Sequence, residues 1–162
     1  MDITGPHDSV ADDDKWWDMV ARLPEASERL DKMVEYSCRI LARTRPIHAI
    51  IRGAADNEAF AADLGRRLLT ERLTNQTERI GRQLGDTLRP GLSVIDAGQR
   101  YCALTSPELY HLLTVELAWT PEQHRHWVTH LLQTELLGTE RDVPATKPRR
   151  RSGSKIRSNT ES

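Results

Sequence analysis

Twice within residues 104–128 (LTSPELYHLLTVELAWTPEQHRHWV) the chain writes a hydroxyl residue, a proline and a glutamate. Ser106-Pro107-Glu108 and Thr120-Pro121-Glu122 each read as a helix start. The hydroxyl oxygen accepts from a backbone N–H that has no partner inside the helix. Proline takes the first helical position, where its missing N–H is not needed, and the carboxylate faces the positive end of the helix dipole. Gln123 stands three residues after Thr120, within reach of the cap's own N–H. Leu109, Leu112, Leu113 and Leu117 follow the first start; Trp127, Val128, Leu131, Leu132 and Leu136 follow the second, and Gly138 stops it. Two capped rods with apolar stripes and a short connection predict an antiparallel helical pair.

The rest of the chain uses the same grammar. Trp16, Met19, Val20 and Leu23 recur at helical spacing until Pro24. Residues 27–44 carry Leu30, Met33, Val34, Ser37, Cys38 and Leu41 on one face. Pro46 is expected to break that helix and to open a short one bearing Ile47, Ile50, Ile51 and Ala54. Asp56-Asn57 reads as a cap for a long helix over 58–88, striped by Phe60, Leu64, Leu68, Leu73, Ile80, Leu84 and Leu88. Gly81 and Gly85 weaken it by about 1 kcal/mol each and mark a bend or a close helix approach. Arg89-Pro90-Gly91 ends it, and Ser93 with Asp96 caps the next helix. No stretch alternates with period two as a strand does. The expectation is all-α: an orthogonal or antiparallel bundle of about six or seven helices. Three segments are expected, an acidic lead-in over 1–14, a helical domain over 15–138 and a disordered basic tail over 139–162.

Charge follows that division. The tail has 7 Lys/Arg against 3 Asp/Glu, and residues 1–138 have 16 against 21. KPRRRSGSKIR suits non-specific contact with anions or simple solubility. Cys38 and Cys102 have no CxxC partner, so a reduced, cytoplasmic protein without a disulfide scaffold is expected, and no apolar run is long enough to span a membrane.

The stretches SPELYHLLTVELAWTPEQHRHW, LRPGLSVIDAGQRYCALTSPELY and RTRPIHAIIRGAADNEAFAADL resemble the regulatory half of TetR/AcrR-type bacterial transcriptional regulators, over roughly residues 8–138. The resemblance implies a TetR C-terminal-domain-like fold, whose closing helices pair with a second copy as a four-helix bundle. It implies a homodimer through Leu109, Leu112, Leu113, Leu117, Trp127, Val128, Leu131 and Leu132. The same leucines equally suit packing inside their own domain. Met33, Tyr36, Phe60, Tyr101 and Cys102 lie on different helices and are candidates to line a mostly apolar pocket, with Arg52, Asp63 and Arg100 as candidate polar fixers; the resemblance implies that a small apolar ligand sits there. Ordinary core is the competing reading of each. The chain departs from such regulators at its start, where it carries no helix-turn-helix to enter the major groove. DNA binding is then expected only through a reading head on an upstream segment or a partner subunit. The alternative function is a stand-alone interaction module that forms mixed dimers with full-length regulators.

Little else points to chemistry. His124, His126 and His130 lie in HRHWVTH, but HExxH is absent and no third ligand is fixed nearby, so no metal is expected. No phosphate loop and no nucleophile elbow occurs, so neither a cofactor nor an enzyme is expected.

Overall fold

The computed structural model describes residues 10–55 and 57–138. Among them every regular element is helical. Helix α1 spans Val10–Ala21, α2 Ala26–Ala55, α3 Ala59–Leu84, α4 Val94–Leu104, α5 Pro107–His111 and α6 Pro121–Leu132. A 3-10 turn, Gly85–Thr87, follows α3, and π-helical turns extend α5 through Leu112–Glu116 and α6 through Gln133–Leu137. The acidic lead-in up to residue 9 and the basic tail lie outside the described residues.

The caps behave as their chemistry requires. Ser93 Oγ accepts from Asp96 N at 3.0 Å, Ser106 Oγ from Leu109 N at 3.1 Å and Thr120 Oγ1 from Gln123 N at 3.1 Å. The Gln123 side chain accepts in return from Thr120 N at 2.8 Å, completing a capping box. Each such cap contributes about 1 kcal/mol.

Two expectations about helix ends need correction. Pro46 lies inside α2, so the segments on either side of it form one helix. Its ring removes the N–H that would reach Ala42, and both residues face outward, where solvent can serve the freed carbonyl. The start of α3 is at Glu58, whose side chain makes no capping bond; Asp56 falls outside the described residues.

Helices α2 and α3 form a long antiparallel hairpin. Its registry is fixed at the base by Arg29 Nε, which donates to Gln83 O at 2.8 Å. At 30 residues α2 is about 45 Å long, well beyond the 12-residue α6 that packs on its first half. The core therefore sits at the base: Leu30, Met33, Val34, Ile80, Leu84, Ala97, Tyr101, Val128, Leu132 and Leu136 pack together there. Burying a side chain of the leucine class stabilises by about 1.5–3 kcal/mol. Ile47, Ile50 and Phe60, towards the tip, stay exposed.

Three devices close the base. Helix α1 seats Trp16 and Val20 against Tyr36, with Arg79 4.5 Å from the Trp17 ring. Arg125 of α6 reaches Asp31 of α2 at 3.1 Å. The turn after α3 has Pro90 and then Gly91 at φ 83, the geometry in which glycine is favoured, and Leu92 N closes it on Arg89 O. Arg89 N in turn donates to Leu136 O at 2.8 Å, clipping that turn to the end of the last helix. Helices α3 and α4 come close at Gly98, where an added β-carbon would lie 2.9 Å from Thr77 Cα. Gly81 has a milder version of this, a β-carbon 3.3 Å from Val94 Cγ1, while Gly85 faces open space.

Candidate ligand cleft and association face

The inner faces of α2, α4 and α6 meet in a small polar node within the core. Ser37 and Tyr101 share a buried hydrogen bond of 2.9 Å. Burial pushes the Tyr101 phenol well above its ordinary range, so it stays neutral. Cys38 Sγ lies 3.5 Å from His124 Nδ1, and the Tyr110 ring stands edge-on to the imidazole at 4.9 Å. Burial pushes the Cys38 thiol up to about 12 and holds the His124 imidazole below its usual value. Both are therefore neutral near pH 7, and a thiol this basic is a poor nucleophile. At the edge of the node, Ser37 also borders a small hollow between α2 and α3.

A larger space lies outside the node, along the hairpin. A cleft of about 360 Å³ runs between the second half of α2 and the first half of α3, over the start of α5. Ile51, Ala55, Ala61, Gly65, Leu68 and Leu69 make it apolar, and His48, Arg52, Arg66, Arg72 and Glu108 supply its polar groups. A smaller hollow of about 190 Å³, bounded by Tyr36, Ile40, Asn75, Gln76, Arg79 and Thr105, adjoins it. Arg72 lines both and stands between them. One of its amino groups, Nη2, donates to the Cys102 carbonyl and lies 3.5 Å from Cys102 Sγ. Its Nε is buried with no acceptor. Burial lowers the His48 pKa, with Glu108 opposing and Arg72 and Arg52 reinforcing the shift.

None of the five residues expected to line a pocket lines the cleft. Met33 and Tyr101 are fully buried in the core. Phe60 is 77% exposed near the hairpin tip. Cys102 is buried on α4 and meets Arg72 through its carbonyl. Tyr36 borders the smaller hollow. Among the polar fixers, Arg52 lines the cleft, Asp63 pairs on the surface with Arg66 and Arg67, and Arg100 pairs with Glu135 at 3.1 Å. Arg72 was missed. The available signal was its position: it follows Leu68 by four residues and precedes Gln76 by four, a polar break in an apolar stripe.

The eight residues expected on an association face also divide. Leu113, Val128 and Leu132 are buried within the single chain. Leu109 and Leu131 are partly covered. Leu112, Leu117 and Trp127 point outward, joined by Val115 and Trp119. Periodicity predicts one face, but α5 and α6 present two: one inward to α2, the other to the surface. Trp119 stands edge-on to Trp127 with ring centroids 5.7 Å apart, beside an open hollow bounded by Glu122, Gln123 and His126. The junction is strained at Ala118, a non-glycine residue at φ 54.

Of the three histidines in HRHWVTH, His124 is buried while His126 and His130 are exposed. No group of three or more potential metal ligands occurs among the described residues. No described helix is long and apolar enough to cross a membrane. The chain matches none of the known protein-family models, curated proteins or solved structures.

Proposed function

We propose that the chain is the ligand-sensing and dimerisation domain of a TetR-type transcriptional regulator, working without a DNA-reading head among its described residues. The observation that carries this reading is the outward strip of Leu112, Val115, Leu117 and Trp127, on the two capped helices whose motifs bear the family resemblance. A two-fold dimer uses the same strip on both subunits. Each of these part-exposed side chains would contribute about 1 kcal/mol on burial. Association costs about 4–15 kcal/mol, so the dimer is expected to be concentration-dependent.

The cleft supplies the sensing half. Its floor includes Pro107 and Glu108, the first turn of α5, and α5 leads directly into the strip. A ligand that favours one setting of α5 over another would shift the population of paired geometries and hence the spacing of any attached reading heads.

The test is light scattering across a concentration series. The wild-type chain is expected to pass from monomer to dimer. Leu117→Glu and Trp127→Glu are expected to stay monomeric with unchanged helicity, because both positions are exposed in the single subunit. A wild type that remains monomeric at the highest concentrations, or a dimer indifferent to both substitutions, would overturn the dimerisation half of the reading.

A further inference from the structure

We propose that the cleft between α2 and α3 takes an amphipathic monocarboxylate, with its acid group on Arg72 and its hydrocarbon among Ile51, Ala61, Leu68 and Leu69. This rests on the ligand-sensing reading above, though not on dimerisation. Three observations carry it. The first is an imbalance of charge at the cleft: Arg52, Arg66 and Arg72 line it against the single carboxylate of Glu108. Arg66 is already met by Asp63, but no described carboxylate pairs with Arg72. The second is the state of the Arg72 guanidinium. Nη2 is anchored to the Cys102 carbonyl, Nε is enclosed without a protein acceptor, and Nη1 is left without an acceptor among the described residues. A charged group held in place but short of acceptors is costly alone and favourable once an anion arrives. The planar guanidinium suits a planar carboxylate. The third is the lining beyond Arg72. Gly65, Ala61 and Ala62 are small, and the nearest atom to a β-carbon placed at Gly65 would be Ile51 Cγ2, 3.9 Å away. That leaves room for a hydrocarbon chain in about 360 Å³, a volume in the range of small-molecule sites.

The cleft is unlike the rest of the exposed apolar surface. Ile47, Ile50 and Phe60 near the tip are 58%, 72% and 77% exposed and do not line the cleft. The hollow at Trp119 and Trp127 is bordered by Glu122, which disfavours an acid.

The experiment titrates the full chain with the sodium salts of the straight-chain acids from butanoic to dodecanoic, and in parallel with the matching primary alcohols, by calorimetry. Acids are expected to bind, gaining about four-fold in affinity per methylene until the cleft is full. Alcohols of equal length are expected to bind about ten- to hundred-fold more weakly. Arg72→Gln should abolish the preference for acid and leave alcohol affinity unchanged, with folding checked by circular dichroism. If Arg72→Gln fails to fold, Gly65→Leu serves in its place. Its side chain fills the cleft and removes acid binding, while a better helix former raises the melting temperature. The proposal is overturned if no acid binds at millimolar concentration, if alcohols match the acids, or if acid affinity survives either folded variant. Light scattering on the same samples separates the two readings. Acid binding by a monomer removes only the dimer; a dimer that ignores every acid removes only this inference.

Discussion

The Ser37 hydroxyl and the Tyr101 phenol, 64 residues apart in sequence, meet at 2.9 Å inside the bundle and satisfy each other there. Removing either partner leaves the other buried without its hydrogen bond. Tyr101→Phe and Ser37→Ala are each expected to cost about 1–3 kcal/mol. The double variant should cost less than the two together, because no orphan is left. Urea unfolding of the four proteins measures the coupling; strict additivity would show that the two hydroxyls do not interact.

His124 sets a pH dependence. Its folded pKa lies below the ordinary 6.5, because burial penalises the imidazolium. The unfolded chain therefore binds the proton more readily, and stability rises with pH across the interval between the two values. The contribution of a neutral His124 is complete above about 6.5 and is lost as pH falls from there through the folded value. Thermal melts from pH 8 down to pH 5 should show this loss, and His124→Gln should flatten it. His48, also lowered but partly open at the cleft, gives a weaker slope of the same sign. A His124→Gln protein with the full wild-type slope would assign the effect elsewhere.

Gly98 and Gly85 should respond in opposite ways to alanine. At Gly98 the new β-carbon meets Thr77 backbone and forces α3 and α4 apart, costing about 1–3 kcal/mol. At Gly85 it meets nothing, the backbone is right-handed helical at φ −48, and alanine should stabilise by about 0.5–1 kcal/mol. Melting temperatures of the two variants decide the matter.

Pro46→Ala distinguishes a continuous α2 from a broken one. In a continuous helix the substitution restores an N–H to a position that can use it, a gain of up to about 3 kcal/mol. At a true break it would be neutral or harmful. A melt and a helicity measurement read both.

Most of the helical grammar was legible because it is local. Ser93, Ser106 and Thr120 cap as their spacing requires, since a cap needs nothing beyond the next three residues. Pro46 was misread because a break at proline is a local preference, and the long packing of α2 against α3 overrides it. The leucines of α5 and α6 were misread for a related reason. Periodicity locates an apolar side, but it does not say how much of that side a neighbour covers. Leu113 and Leu112 are adjacent in sequence, yet one is buried and the other 46% exposed. The cleft was invisible because it belongs to a pairing of distant segments, and Phe60 and Met33 were grouped by chemistry when position separates them.

The depth at which the two sulfur atoms lie gives the folded chain a built-in clock. Cys38 and Cys102 are 8% and 4% exposed. An alkylating reagent can therefore mark them only in molecules that have come open. The pace at which label accumulates under native conditions then reports how often the bundle breathes, site by site, with no engineered probe.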